Sequence, residues 1–69
     1  MIKSGKYRHY KGNEYEVIGI AKHSETLEEL VVYQELYGVN ELWVRPLKTF
    51  TEKVEIDGKM ILRFEYFGD

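Results

Sequence analysis

Along this chain, hydrophobic and polar residues alternate in short runs rather than in the three-to-four-residue rhythm of a helix. Two runs dominate: Glu14-Tyr15-Glu16-Val17-Ile18-Gly19-Ile20-Ala21-Lys22 and Leu30-Val31-Val32-Tyr33-Gln34-Glu35-Leu36-Tyr37. Both are dense in the β-branched and aromatic residues that suit a pleated, half-buried surface, so both predict strands. Between them, His23-Ser24-Glu25-Thr26-Leu27-Glu28-Glu29 carries charge and hydroxyls. It predicts a loop with some helical character, Ser24 resembling a capped start. Gly19, in the middle of the first run, predicts a bulge or a bend where another backbone comes close.

A shorter strand, Lys6 to Tyr10, precedes these two. Gly12-Asn13 suits a two-residue hairpin loop, because glycine accepts the positive φ that such turns demand. That turn sets Tyr10 opposite Tyr15, His9 opposite Glu16 and Arg8 opposite Val17. Downstream, Gly38 to Glu41 leads into a fourth strand, which Pro46 ends for want of an N–H. With a loop of Val39 to Glu41, Tyr37 faces Trp43, Leu36 faces Val44 and Glu35 faces Arg45. This register collects an aromatic pair and an ion pair on one face, with aliphatic residues on the other. Leu47-Lys48-Thr49-Phe50 predicts one tight turn with Leu47 and Phe50 packed inward. Thr51 to Lys59 reads as a charged excursion that turns at Asp57-Gly58. Met60 to Tyr66 is the last strand, with Met60, Leu62, Phe64 and Tyr66 on one face and Ile61, Arg63 and Glu65 on the other. Five strands in so short a chain need protected edges. The prediction is an all-β fold, a small five-stranded SH3-like barrel, with an open antiparallel meander as the alternative. Residues 1–69 form one domain in this reading.

Size and composition narrow the chemistry. A 69-residue chain hides only about 60% of the surface its unfolded form exposes. No cysteine is present, which excludes disulfides and thiolate zinc sites, and His9 and His23 alone cannot close a four-ligand metal site. The aromatic residues (six Tyr, three Phe, one Trp) must supply most of the core, and self-association into a homodimer is the other available reinforcement. No apolar run approaches the ~20 residues of a membrane span, and the first residues lack the apolar core of a signal peptide. The expectation is a cytoplasmic protein. Four basic residues and no acid occupy 1–13, whereas seven glutamates against Lys22 alone occupy 14–41. That distribution suits pairing within the chain or with a second copy, and makes nucleic acid an unfavoured partner.

Several stretches carry a resemblance: Gly5-Lys6-Tyr7-Arg8-His9-Tyr10-Lys11-Gly12, Ala21-Lys22-His23-Ser24-Glu25-Thr26, Val32-Tyr33, Trp43-Val44-Arg45-Pro46-Leu47, Phe50 and Arg63-Phe64-Glu65. Together they resemble a bacterial family, domain of unknown function 1653 (DUF1653), over nearly the whole chain. The sequence departs from that pattern at Thr49, where methionine is expected, and at Leu62, where proline is expected. The resemblance implies a small bacterial domain, sometimes joined to others. It carries no reaction and no ligand.

Among candidate sites, the strongest set is Tyr33, Tyr37, Trp43 and Arg45 with Glu35, placed by the expected register on the outer face of one hairpin, and extended by Arg63 and Glu65. Aromatic rings beside arginine are what binding surfaces use, since they give large contact area at low entropy cost. The competing reading makes Trp43 and Tyr37 the cover of a second small core, with Arg45–Glu35 as a rim ion pair. Secondary candidates are Tyr7, His9, His23 and Glu65. His9 beside Glu16 would be an oriented general base. His23-Ser24-Glu25 assembles a base, a hydroxyl and an acid, but neighbours in an extended segment point to opposite sides. Tyr7-Arg8-His9-Tyr10-Lys11 interleaves rings and charge as single-strand binders do. Glu14 and Glu16 would make a weak cation site, and the scattered glycines form no phosphate cradle. The sequence therefore favours a non-enzymatic binding module for a protein, peptide or small polar ligand, without metal or cofactor. A small His-dependent enzyme and a nucleic-acid-binding barrel are the alternatives.

Overall fold

The computed structural model describes residues 2–68. Strands form where the alternating runs predict them: β1 Gly5–His9, β2 Glu14–Lys22, β3 Glu29–Glu35 and β4 Leu42–Pro46. A four-residue helix, α1 Leu47–Phe50, follows directly. Three short strands complete the chain: β5 Lys53–Ile56, β6 Lys59–Leu62 and β7 Phe64–Gly68. Two of these correct the sequence reading. The charged excursion after Phe50 is a hairpin of its own, β5 pairing with β6 from Lys53↔Leu62 to Ile56↔Lys59. Its turn is Asp57-Gly58, with φ of 51° and 79°, and two positive φ values in succession match the right-handed twist of the flanking strands. The expected last strand is broken at Arg63, whose N–H donates to the Glu52 carbonyl (3.1 Å) while its own carbonyl accepts from Tyr10 (3.0 Å). These bonds tie Arg63 to two other segments, so β6 and β7 belong to different sheets.

The larger sheet is antiparallel with strand order β4-β3-β2-β1-β7; β5 and β6 form the second. The fold is all-β, and the expected closed five-stranded barrel is not found. The open antiparallel sheet is nearer, because β4 and β7 remain edges. Side chains bridge what the backbone leaves open. Tyr33 on β3 meets Phe64 on β7 at 5.5 Å between ring centroids, and Arg45 on β4 lies over the Phe64 ring at 5.6 Å. Phe50, delivered by α1, fills the space beneath. It stacks on Phe64 at 4.1 Å and 4° and meets Tyr7 and Tyr33 edge-on.

The core is aromatic: Tyr7, Val17, Val31, Tyr33, Phe50 and Phe64 are buried. Directly opposed residues share a face of a sheet, so the registers show how that face is assembled. One row runs Trp43, Tyr33, Val17, and the next runs Glu35, Tyr15, Tyr7, Tyr66. The opposite face carries Leu42 and Val44 on β4, both well exposed, with Val32 beside them. The expected division into an aromatic face and an aliphatic face holds, but inside and outside are exchanged. The rings are the interior, and the aliphatic side of the outer hairpin faces solvent.

Both hairpin registers differ from expectation. In the first, Tyr7 lies opposite Tyr15 and Arg8 opposite Glu14. The turn is wider than two residues: His9 donates to Asn13 O (2.8 Å) and Gly12 donates back to His9 O (2.7 Å). Gly12, at φ 109°, takes the strained position. This register joins the Arg8 guanidinium to the Glu14 carboxylate at 2.9 Å. In the second hairpin Tyr33, not Tyr37, lies opposite Trp43, and Val31 lies opposite Arg45. Gly38 and Asn40, both at φ 57°, open a broad loop. The Asn40 side-chain amide donates to Glu35 O (2.9 Å), and Gln34 donates to Asn40 O (3.0 Å). The slip is four residues, an even number, so every side chain keeps its face.

Gly19 does mark a bulge, since β2 shifts register against β3 between Val17 and Gly19. The expected close approach is absent, because a Cβ at Gly19 would meet nothing within 4 Å. The loop after β2 contains no helix. Its turn is capped by His23 rather than Ser24: the His23 Nδ1 accepts from the Glu25 N–H (3.1 Å) and the Thr26 N–H (3.3 Å). Among the described residues no helix is long and apolar enough to cross a membrane.

Candidate functional site

The edge where β4 meets β3 carries a cleft of about 200 Å³ lined by Tyr15, Tyr33, Glu35, Tyr37, Trp43 and Arg45. Four of the five principal candidates from the sequence therefore converge, together with Glu35. They converge because Tyr33, Glu35, Trp43 and Arg45 alternate on one face of adjacent strands, which an even register slip cannot disturb.

Each wall is held by a specific contact. The Trp43 indole N–H donates to Glu35 Oε2 at 2.8 Å, and the Glu41 backbone N–H donates to Glu35 Oε1 at 3.2 Å. Glu35 is thus committed to orienting the indole, and the expected Glu35–Arg45 ion pair does not form. Arg45 instead turns over Phe64, its Nε donating to the Tyr33 hydroxyl at a long 3.4 Å. Among the described residues no carboxylate lies within 4.0 Å of its guanidinium. Trp43 remains 49% exposed and lines the cleft.

Tyr15 is the residue that sequence reasoning missed. Its hydroxyl lies 2.8 Å from that of Tyr37, and its ring meets Tyr33 and Tyr37 edge-on. The two-residue turn had paired it with Tyr10. The signal was present in β2, where Tyr15 and Val17 alternate with Glu14 and Glu16 and so belong to the inward side. Burial, then the hydrogen bond and nearby hydroxyl of Tyr37, push the Tyr15 phenol up to about 12. The folded pKa exceeds the ordinary value near 10, so this group stabilises the fold below about pH 10, and that contribution is lost as the pH rises through about 12. An ultraviolet phenolate titration is expected to show a late step near pH 12, together with the onset of alkaline unfolding. The absence of any phenol ionising with a midpoint near pH 12 in the folded protein would contradict this assignment.

The remaining candidates lie elsewhere. Tyr7 belongs to the core, its hydroxyl donating to Lys3 O at 2.8 Å, and burial raises its pKa. His23 caps its own turn and touches nothing in the cleft. Glu65 sits on β7 opposite Arg8, away from the inward face. Arg63 contacts Glu52 at 3.1 Å and does not line the cleft. His9 loses the orienting carboxylate that the general-base reading required, since Glu16 lies opposite Lys6. Its Nδ1 accepts from the Lys11 N–H (3.1 Å), and its ring meets Phe64 edge-on at 4.9 Å. A larger depression, about 460 Å³, runs beside it between the first hairpin and β6. Glu14 is held by Arg8, and among the described residues no group of three His, Asp or Glu side chains gathers to hold a metal.

The fold and the chain can be set beside known proteins. A crystal structure of a protein belonging to DUF1653, from Bordetella bronchiseptica, is similar with a TM-score of 0.89 and 38% identity. The similarity covers 97% of this chain and 88% of that one. No curated protein matches. The model of the family described as "Protein of unknown function (DUF1653)" matches residues 5–66. Framed by that agreement in sequence and in fold, the chain belongs to the DUF1653 family.

Proposed function

We propose that the protein is a small cytoplasmic binding module, one β domain over residues 1–69, and not an enzyme. Its site is the cleft of Tyr33, Tyr37, Trp43 and Arg45, with Tyr15 and Glu35 completing the walls. The observation that supports this is the state of Arg45: a guanidinium turned over an aromatic ring and without a carboxylate partner among the described residues, beside rings fixed by their own hydrogen bonds. Rigid aromatic walls and a fork-shaped donor are the components of a recognition site whose ordering cost was met on folding. The volume, about 200 Å³, falls below the ~300–1,000 Å³ of sites for drug-sized molecules. It suits one ring or one side chain of a peptide or protein partner.

N-acetyl-tyrosinamide, a single ring with neutral polar ends, is an appropriate probe. Its addition is expected to shift the Trp43 indole resonance and emission saturably, and Tyr37→Ala is expected to weaken the effect about tenfold or more. An unchanged indole signal throughout the millimolar range would remove the reading.

A further inference from the structure

Two basic side chains from separate strands meet the Phe64 ring, and a third, Arg63, precedes it in the chain. The His9 imidazole meets the ring edge-on at 4.9 Å, and the Arg45 guanidinium lies 5.6 Å from its centroid. Arg63 immediately precedes Phe64, and both arginines are within electrostatic reach of His9. Neighbouring cations repel, and folding normally compensates them with carboxylates. Here the compensation is incomplete. Arg45 has no carboxylate within 4.0 Å among the described residues, and Arg63 offers only its Nη2 to Glu52. The Nε of Arg63 is buried and has no hydrogen-bond partner among the described residues. A buried donor left in that condition costs free energy, and such exceptions call for a ligand or a functional explanation.

We propose that His9, Arg45 and Arg63 form an oxyanion subsite beside the aromatic cleft, taking a phosphate or carboxylate group whose attached body rests against Tyr33 and Trp43. This rests on the cleft being a ligand site and names the class of group that the ligand presents. The donors have the required character. The His9 Nδ1 already accepts a backbone hydrogen bond from Lys11, so the neutral ring carries its proton on Nε2, a donor for an oxyanion. Among the described residues, no carboxylate engages the terminal nitrogens of Arg45. Two guanidinium groups and an imidazole provide charge-assisted hydrogen bonds, which are shorter and stronger than neutral ones.

His9 also supplies the readout. Burial first, then Arg45, Arg63 and Lys11, hold its pKa below the ordinary 6.5. Arg8 and Glu65 line the depression next to it, and Arg8 is neutralised by Glu14. With the folded pKa depressed, the neutral ring stabilises the fold above about pH 6.5, and this is lost as the pH falls through the folded value. An oxyanion bound among these cations favours the imidazolium, so it must raise the His9 pKa, and by linkage it must bind more tightly as the pH falls.

The test is an NMR titration of both histidines with inorganic phosphate, and in a second arm with acetate, at ionic strength held constant by chloride. The expected result is a saturable rise of the His9 pKa of about one unit, equivalent to about tenfold tighter binding to the protonated form. His23, engaged in its own turn, should stay in place. Arg45→Gln is expected to weaken the response at least about tenfold, and Lys22→Gln, at an exposed lysine on β2, to change it by no more than about twofold. A response to phosphate alone assigns a phosphate ligand; a response to both arms assigns oxyanions generally. Should His9 move no more than His23, or should Lys22→Gln remove as much as Arg45→Gln, the subsite is overturned. If Arg45→Gln does not fold, the comparison of His9 with His23 in the natural chain decides alone. N-acetyl-tyrosinamide separates the two ideas. If it still binds when phosphate and acetate do not, the cleft stands and the subsite falls. If none of the three binds, both fall.

Discussion

Replacing Phe50 with alanine is expected to lower the unfolding free energy by about 3–5 kcal/mol, the usual range for removing a buried phenyl ring. Phe50 is 1% exposed and stacks face to face on Phe64, with Tyr7 and Tyr33 against its edges. Its ring fills the interior that the open sheet leaves between β3 and β7, against Tyr33 and Phe64. The four-residue helix that delivers it is far too short to persist by propensity alone. It is held by its end, where the Thr51 N–H and hydroxyl both donate to Leu47 O at 3.0 Å, and by the burial of Phe50 itself. Small domains have about 5–15 kcal/mol in total, so the variant loses a large share of the stability available. At roughly 4–8 °C per kcal/mol for a chain of this size, the melting temperature should fall by at least about 12 °C. Thermal and urea unfolding followed by circular dichroism measure this, with Phe50→Leu as a milder companion. A loss under about 1 kcal/mol would mean that Phe50 does not hold the sheet together.

The second large effect comes from paired substitutions on opposite faces of the outer hairpin. Val31 is 0% exposed and Val44 is 58% exposed. Val31→Lys is expected to abolish folding, because an ammonium group in that interior carries a desolvation penalty of several kcal/mol and has no partner there. Val44→Lys is expected to stay within about 0.5 kcal/mol of the natural protein. The same residue type receives the same new side chain in each case, so intrinsic strand preference largely cancels. What remains is the difference between the aromatic and aliphatic faces. Equal damage from both substitutions would show that the aliphatic face is covered. Equal tolerance would show that the aromatic face is not the core.

These two results bear on the cleft as well, since it is the outer rim of the same aromatic face. Tyr33 has its ring in the core and its hydroxyl under Arg45, and Tyr15 links Tyr37 to the rings below. A binding event at Trp43 and Arg45 therefore acts on side chains continuous with the packing that holds the domain together. A ligand bound only to the folded state will raise its stability by mass action, so thermal shift gives a second readout for each proposed probe.

The pattern of the chain determined the existence and type of the first four strands, the bulge at Gly19, the inward packing of Phe50 and the grouping of Trp43, Arg45, Tyr33 and Glu35 on one face. All of these follow from a two-residue period and from local chemistry. Registers did not follow, because they are set by loop geometry: the wide turn at Tyr10–Asn13 and the loop opened by Gly38 and Asn40 depend on side chain–backbone bonds that composition does not reveal. The candidate cleft survived this error because a slip of four keeps parity, whereas the pairing of His9 with Glu16 did not survive a slip of three. Nor could local reasoning divide Met60–Tyr66 at Arg63, since both bonds that tie Arg63 reach distant segments.

Alternation alone therefore determined which residues share a face, and only the tertiary structure decided which face is the interior. Two candidate interiors were available, one aliphatic and one aromatic. The aromatic one prevails because Phe50 and Phe64 arrive from outside the four-strand meander and can cover only the side that carries Tyr7, Tyr15 and Tyr33.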